Sequence, residues 1–178
     1  RAIAVVSVVI FHAWPDVFKG GFVGVDVFFV VSGFLISTLI LADMECGRFS
    51  FLEFYGRRVR RLFPALAVVM AACLAAGWFA LLAADYQLLG KHVAGAAAFA
   101  SNFVLWNEAG YFDTAAGLKP LRHLWSLGIE EQFYLVWPLL LLLAKRTGLR
   151  PLDAVLAVGG ISFALNLHLA FNDEVSAF

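Results

Sequence analysis

Two basic residues near the start of the chain are spaced so that they share one face of a predicted helix. Arg1 and His12 are eleven positions apart. In an α-helix this separation is about 1100°, which is about 20° beyond three full turns, so both side chains lie on one face. The helical rise places His12 about 16 Å from Arg1, near the middle of a membrane. An imidazole there suits a general base, although a histidine that only bonds a neighbouring helix fits the same spacing.

A carboxylate follows a glycine turn. Gly20 and Gly21 predict a tight turn between the first two helices, because glycine adopts turn conformations at little steric cost. The turn would return Asp26 toward the helix that carries His12. We expect Asp26 to orient the imidazole or to fix its tautomer, and a purely structural carboxylate is the alternative.

Four arginines stand immediately before a long apolar run. They are Arg57, Arg58, Arg60 and Arg61. Two pairs are three residues apart, which builds a cluster suited to bidentate contacts with phosphate. A cytoplasmic donor that carries phosphates, such as coenzyme A, fits this cluster. A simple topological anchor also explains four arginines at this place.

A polar stripe enters the apolar segment near residue 130. On a helical wheel its members fall within about 80° of one another, and they are His123, Ser126, Glu130, Tyr134 and Trp137. Glu131 lies toward one side of the stripe. Two adjacent carboxylates in a Leu-rich span are costly, so they predict a polar cavity that holds substrate or a protonated imidazole. A buried network that only joins helices is the alternative. No side-chain spacing in the sequence indicates a metal site.

The composition indicates that the chain lies in a membrane. The chain has 178 residues, of which 62% are hydrophobic and 15% charged, and its mean hydropathy is +0.86. Soluble domains contain about 25% charged residues. A soluble globular enzyme, a disordered segment and a disulfide scaffold are therefore excluded. The formal net charge of zero gives no general attraction to nucleic acid.

Six hydrophobic segments predict an all-α, polytopic transmembrane bundle, since lipid requires backbone groups to be paired within the segment. They are residues 2–18, 22–42, 62–84, 88–107, 124–144 and 153–171. The arginine cluster at 57–61 and a second basic cluster at 145–150 should both face the cytoplasm. One segment between them must then fail to cross. We expect 88–107, which contains Lys91 and His92, to be re-entrant or interfacial.

Four stretches together resemble the acyltransferase 3 family, multi-helix membrane proteins that modify cell-surface glycans. They are residues 1–12, 21–36, 54–64 and 123–138, with family-like residues also at 101–103 and 110–113. The family has about ten spanning helices. The chain begins with Arg1 rather than Met, so we expect residues 1–178 to be one acyltransferase domain, its N-terminal part, truncated at both ends.

The resemblance implies an enzyme of the bacterial inner membrane that moves an acyl group, commonly acetyl, from acyl-CoA to a hydroxyl of a polysaccharide or lipid-linked glycan. Acetyl-CoA would be a co-substrate, with no tightly bound cofactor. His12 would act as the base or assist passage of the acyl group. Arg1 would contact the thioester donor on the cytoplasmic side, and Asp26 would orient the acceptor or the base. The four arginines would bind coenzyme A. The acceptor would be bound by His123, Ser126, Glu130, Glu131 and Tyr134. A transporter or channel with a polar path is the alternative, followed by a passive membrane module.

Overall fold

The computed structural model describes residues 1–108 and 119–172, and all regular structure within these ranges is helical. The chain divides into two compact units, Arg1–Phe54 and the remainder from Tyr55. The α-helices are α1 (Ala2–Ala13), α2 (Gly24–Glu45), α3 (Phe51–Ala80), α4 (Ala83–Ala97), α5 (Ser101–Glu108), α6 (Trp125–Arg146) and α7 (Pro151–Asn172). Short 3₁₀ turns at Gly21–Val23 and Arg122–Leu124 precede α2 and α6. The family-like residues at 110–113 lie outside the described ranges.

In the first unit, α1 packs closely against the turn that precedes α2. A Cβ atom on Gly21 would lie 2.5 Å from the carbonyl oxygen of Ser7, and one on Gly24 would clash with the carbonyl of Ala4. The backbones approach so closely that only glycine fits, as in other membrane helix pairs built on small residues. Because the later glycine contacts the earlier part of α1, the two helices run antiparallel.

In the second unit, α3 and α6 cross in opposite directions. The hydroxyl of Tyr55 donates to the carbonyl of Leu135 at 2.8 Å, while Arg58 reaches back to Glu131. Farther along α3, the core residues Leu66 and Met70 pack against Leu124 and Leu127. This direction brings the start of α3 and the end of α6, each with its basic cluster, to one end of the pair, as the prediction of a shared cytoplasmic side requires.

A sharp break separates α4 from α5. Phe99 has φ = 52°, the left-handed conformation that glycine usually adopts at a helix end. The N–H of Ala100 bonds to the carbonyl of Gly95 at 2.7 Å, and the N–H of Phe99 bonds to that of Ala96 at 3.1 Å. This is a Schellman cap with phenylalanine in place of glycine, at a cost of about 1–2 kcal/mol.

Four described helices are long and apolar enough to cross a membrane, so the chain is a multi-pass integral membrane protein. They are Gly21–Glu45, Phe51–Ala80, Arg122–Arg146 and Pro151–Phe171. The all-helical prediction is confirmed, whereas the count of five to six spanning helices is not. The helix α1 has 12 residues and stops at Ala13 because Trp14, before a proline, leaves the helical region at φ −141° and ψ 70°.

Two other predicted segments have different bounds in the structure. The helix α3 begins at Phe51, so the arginine cluster lies inside a helix and not before one. Its apolar part, residues 62–80, is about 28 Å long, close to the hydrocarbon thickness of a bilayer. The predicted segment 88–107 is two helices of 15 and 8 residues, and each is shorter than a crossing needs.

The close contact at Gly21 gives a stability prediction. Replacing Gly21 with alanine should push α1 away from the turn, because the backbone carbonyl of Ser7 cannot move like the end of a side chain. Overpacking of this kind costs about 1–3 kcal/mol, which lowers the melting temperature by about 2–4 °C per kcal/mol. Thermal unfolding in detergent measures the shift. The matched control is Gly20→Ala, since a Cβ there meets nothing within 4 Å; equal melting temperatures for both variants would contradict the contact.

Candidate functional site

His12 lies in the last turn of α1 with one ring nitrogen engaged. Its Nδ1 is 2.9 Å from the carbonyl oxygen of Val8. A carbonyl only accepts, so Nδ1 carries the proton and Nε2 has the basic lone pair. The side chain is exposed in the unit, and the ring of Phe11 stands edge-on beside it at 5.4 Å. His12 thus stands at the end of a short helix and not at the middle of a long one.

Arg1 and Asp26 belong to the opposite end of α1. The guanidinium of Arg1 lies 5.4 Å from the ring centroid of Phe28 on α2. Asp26 lies on α2 between Gly24, which contacts Ala4, and Phe28, so it is about ten residues, or 15 Å, from the level of His12. In the described part of the chain, no hydrogen bond joins Asp26 to His12. The partner that sets the tautomer is the Val8 carbonyl.

In the second unit, Arg58 is bound by the polar face of α6. Its Nε and Nη2 donate to Glu131 at 3.1 and 2.6 Å, a bidentate pair with side chains 19% and 13% exposed. The guanidinium also stacks on Tyr134, 3.5 Å from the ring centroid. The Tyr134 hydroxyl donates to Glu130 at 2.5 Å. Both carboxylates of the predicted stripe therefore belong to one network with Arg58.

This network changes the interpretation of the arginine cluster. The guanidinium of Arg58 makes a bidentate contact with Glu131. Arg58 could make the same contact with a phosphate only if its pair with Glu131 were broken. Arg57, Arg60 and Arg61 are exposed. The binding of phosphate by the four arginines stays a prediction, and in this structure Arg58 is the member of the cluster that is paired with Glu131.

A cavity of about 180 Å³ lies beside the network. Its walls are Tyr55 of α3, Ala98 and Phe99 at the break after α4, and Glu131, Gln132, Tyr134 and Leu135 of α6. Four of these residues have polar side-chain atoms that are engaged in hydrogen bonds within the second unit. They are Tyr55, Glu131, Gln132 and Tyr134. The cavity thus presents mainly ring faces and aliphatic atoms, and its volume suits a group of a few heavy atoms.

His123 and Ser126 stand at the entrance to α6. His123 lies in the 3₁₀ turn Arg122–Leu124, so the α-helical projection that placed it on the stripe does not apply to it. It is exposed. The hydroxyl of Ser126 donates to the carbonyl of His123 at 3.2 Å, and no described side chain acts on it as a base. The structure thus joins Glu130, Glu131 and Tyr134 but leaves His123 and Ser126 outside their network.

Sequence reasoning missed an ionic cluster around Glu108. Lys91 Nζ lies 2.8 Å from Oε1 of Glu108, while His92 Nε2 and Lys119 Nζ lie 3.1 and 3.2 Å from Oε2. His92, expected at the membrane interface, is 3% exposed. Burial raises the pKa of the Glu108 carboxyl, but hydrogen bonds from Lys91 and Lys119 and the charges of His92 and Lys91 outweigh burial, so the net pKa is lowered.

Gln132 was also missed, because it lies opposite the polar stripe. Its Nε2 donates to the carbonyl of Phe99 and to Oδ1 of Asn102, both at 2.8 Å, and its Oε1 accepts from Asn102 at 3.2 Å. Gly128, one turn earlier, allows this approach, since a Cβ there would lie 3.0 Å from the Phe99 carbonyl. An amide and a glycine four residues apart on an apolar helix are a detectable signal. The Glu108 cluster has none, since its members are far apart in sequence.

Within residues 1–108 and 119–172, no group of three or more His, Cys, Asp or Glu side chains is arranged to hold a metal ion.

Comparison with known proteins supports a common origin with membrane acyltransferases. A family profile described as an acyltransferase domain matches residues 1–178. A Haemophilus influenzae protein is 42% identical over 121 residues, which are 68% of this chain and 49% of that protein. The peptidoglycan O-acetyltransferase OatA of Listeria monocytogenes is 38% identical over 143 residues, covering 80% of this chain and 23% of that protein.

The O-acetyltransferase OatA of Staphylococcus aureus is 40% identical over 144 residues, which are 79% of this chain and 23% of that protein. The chain thus spans half or less of the length of these curated relatives. No solved structure matches the chain.

The Arg58–Glu131 pair gives a prediction about energetic coupling. Either Arg58→Ala or Glu131→Ala alone should lower the free energy of unfolding by about 2–4 kcal/mol, because the remaining charge stays partly buried without its partner. The double variant should lose clearly less than the sum of the single losses. A double-mutant cycle measured by thermal unfolding in detergent tests this. Additive losses would mean that the two side chains do not stabilise each other.

The lowered pKa of Glu108 predicts a pH dependence of stability. A carboxyl whose folded pKa is below its usual value of 4.5 binds its proton more weakly when folded, so its contribution is complete above about pH 4.5 and is lost as the pH falls through the folded pKa. The difference in melting temperature between wild type and Glu108→Gln should therefore be largest at neutral pH and shrink in acid. A difference that is constant from pH 7 to pH 3 would exclude an ionised Glu108.

Proposed function

Since the chain belongs to the acyltransferase 3 family, we propose that it forms part of an integral membrane O-acyltransferase. The enzyme moves an acyl group, in the first place acetyl, from acyl-CoA to a hydroxyl of a cell-surface polysaccharide or lipid-linked glycan. Two relatives carry names as O-acetyltransferases, one of them of peptidoglycan. Peptidoglycan is therefore the first acceptor to try, and the bacterial inner membrane is the proposed location.

One observation supports this function above the others. The Nδ1 proton of His12 is held by the Val8 carbonyl at 2.9 Å, which leaves Nε2 as the basic atom on an exposed ring. A base whose tautomer is fixed in advance is what removal of a hydroxyl proton requires. Because the Val8 carbonyl already fixes the tautomer of His12, no carboxylate is needed for that purpose. Asp26 is therefore proposed to act at the Arg1 end of the site.

The proposed transfer requires one proton to move twice. Nε2 of His12 accepts the proton of the acceptor hydroxyl while the hydroxyl oxygen bonds to the thioester carbonyl carbon. The carbon–sulfur bond then breaks, and the leaving thiolate of coenzyme A takes the proton from the imidazolium. A route through an acyl-enzyme would need a nucleophile, for which Ser126 is the candidate, with its hydroxyl already donating to a backbone carbonyl.

Binding of the two substrates is assigned to the second unit. We assign the phosphates of coenzyme A to Arg57, Arg60 and Arg61, which are exposed on α3, with Arg58 holding α6 beside them. The acceptor is assigned to the side chains at the start of α6, which are His123, Ser126, Glu130, Glu131 and Tyr134. Charged side chains within a membrane are energetically costly, and they are typical of sites that bind a substrate. Residues 1–178 are proposed to be the N-terminal part of one bundle of about ten helices.

Loss of the imidazole should abolish transfer. In membranes that contain the full-length protein, labelled acetyl-CoA and a cell-wall fraction, His12→Ala should reduce label in the glycan by at least about a hundredfold, because general-base catalysis contributes about 10²–10⁴-fold. Protein levels are matched by immunoblot. The control is His168→Ala, an exposed histidine on α7, which should transfer at the wild-type rate.

Two outcomes would contradict the proposal in different ways. Transfer that persists in His12→Ala would remove His12 from the role of base while leaving the activity in place. No label from wild type with several acyl donors and glycans would favour a transporter, in which the intramembrane charges line a path for a solute.

A further inference from the structure

The cavity in the second unit has a buried floor and an exposed rim. Tyr134, which is 1% exposed, forms the floor. Ala98 and Leu135 are exposed and form the rim, with Tyr55 and Phe99 half-buried between rim and floor. An engineered protein cavity of about 150 Å³ takes benzene, so a cavity of about 180 Å³ has room for a chain of about six carbon atoms. A small apolar group can enter it from the rim.

The walls of this cavity are held in place from several directions. The hydroxyl of Tyr55 donates to the carbonyl of Leu135 at 2.8 Å. The carbonyl of Phe99 accepts from Gln132, also at 2.8 Å, and a guanidinium of α3 covers the ring of Tyr134 at 3.5 Å. Widening the cavity would break these contacts. A cavity with fixed walls discriminates between apolar groups by their size.

The cavity lies at the end of α3 that carries the arginines. Tyr55 comes seven residues, or about 10 Å, before the apolar part of α3, which begins at residue 62. Arg60 and Arg61 lie between these two points and are exposed, as a site for phosphate requires. A thioester of coenzyme A carries its phosphates at one end and an uncharged, apolar chain at the other. The arginines and the cavity together match these two ends.

We propose that this cavity binds the acyl chain of the thioester donor and limits it to about six carbon atoms. This inference rests on the proposed function, in which exposed arginines of α3 bind the phosphates of coenzyme A. The chain enters past Ala98 and Leu135 and ends against the ring of Tyr134. The thioester carbonyl then lies at the rim, next to the stretch of α6 that is assigned to the acceptor. Ala98 and Leu135 are therefore the residues that determine which acyl group is transferred.

Narrowing the rim tests the size limit. Ala98 has φ −88° and ψ 2°, a conformation open to leucine, so Ala98→Leu should fold. In the full-length enzyme it should lower kcat/KM for hexanoyl-CoA relative to acetyl-CoA by at least about tenfold, because one methylene too many in a fitted apolar pocket has that effect. The matched control is Ala97→Leu. Ala97 is exposed on α4 and lies outside the cavity, so this variant should keep the wild-type ratio.

Widening the rim should have the opposite effect. Leu135→Ala removes an exposed side chain, while the carbonyl that holds Tyr55 belongs to the backbone and stays. The kcat/KM for octanoyl-CoA relative to acetyl-CoA should rise by about tenfold. Leu139→Ala is the control, since Leu139 is similarly exposed one turn later on α6 and lies outside the cavity. It should leave the ratio unchanged.

A second measurement does not depend on transfer. Every native cysteine of the full-length protein, including Cys46 and Cys73, is changed to alanine, and Ala98→Cys is added. Labelling by a water-soluble maleimide is measured in membranes with coenzyme A or with S-hexyl-coenzyme A, a thioether that cannot give up its chain. S-hexyl-coenzyme A should slow labelling severalfold more than coenzyme A does. Ala97→Cys, in the same background, should show no such difference.

The two measurements separate this inference from the proposed function. If wild type transfers no acyl group from any donor, the proposed function fails, yet the labelling still decides whether the cavity binds the chain.

Three results would overturn the inference. Ala98→Leu and Ala97→Leu could have the same preference among acyl groups. The two forms of coenzyme A could protect the introduced cysteine equally, which would place the acyl chain elsewhere. The cysteine introduced at the rim could be unreactive in membranes before any donor is added, which would show that a lipid chain already fills the cavity.

Discussion

The second unit depends on one constraint: a guanidinium and a carboxylate that lie among apolar helices must form an ion pair with each other. Arg58 and Glu131 do so with two hydrogen bonds, and Tyr134 covers the guanidinium with its ring. Since α3 and α6 run antiparallel, this contact sets how far one helix slides past the other. The bond from Tyr55 to Leu135, the cavity and the packing of Leu66 against α6 share that register.

The side of α6 away from Arg58 is shaped by a break in a helix. Phe99 accepts a strained left-handed backbone, and its carbonyl then points at Gln132 while its ring joins the core around Leu66. Residues held in such conformations cluster at functional sites, where surrounding structure compensates the strain. Here the compensation comes from Gln132 and from Gly128, which lets α6 approach. The helix α6 is thus held by polar contacts on two sides, and between them lies the small cavity.

Sequence patterns were sufficient for helices whose apolar residues run continuously. The bounds of α2, α6 and α7 differ from the predicted segments by at most three residues. Sequence patterns gave wrong helix bounds where a single residue changed the backbone conformation. Pro15 ended α1 early, and Phe99 divided a predicted segment into two helices. The charge of Glu131 marked it as a candidate site residue, but the sequence did not indicate its pairing with Arg58, 73 residues earlier in the chain. The pairing of distant charges depends on tertiary structure, which periodicity does not encode.

The sequence separation within the Arg58–Glu131 pair has a consequence for biogenesis. A ribosome adds about 5–20 residues per second, so the 73 residues between the partners take about 4–15 seconds to appear. During that interval the arginine of α3 lacks its carboxylate partner. Four arginines that precede the apolar part of α3 keep this end of the helix in the aqueous interface. The antiparallel pair can close only after α6 has been synthesised, so α3 and α6 dock after α3 itself has been inserted.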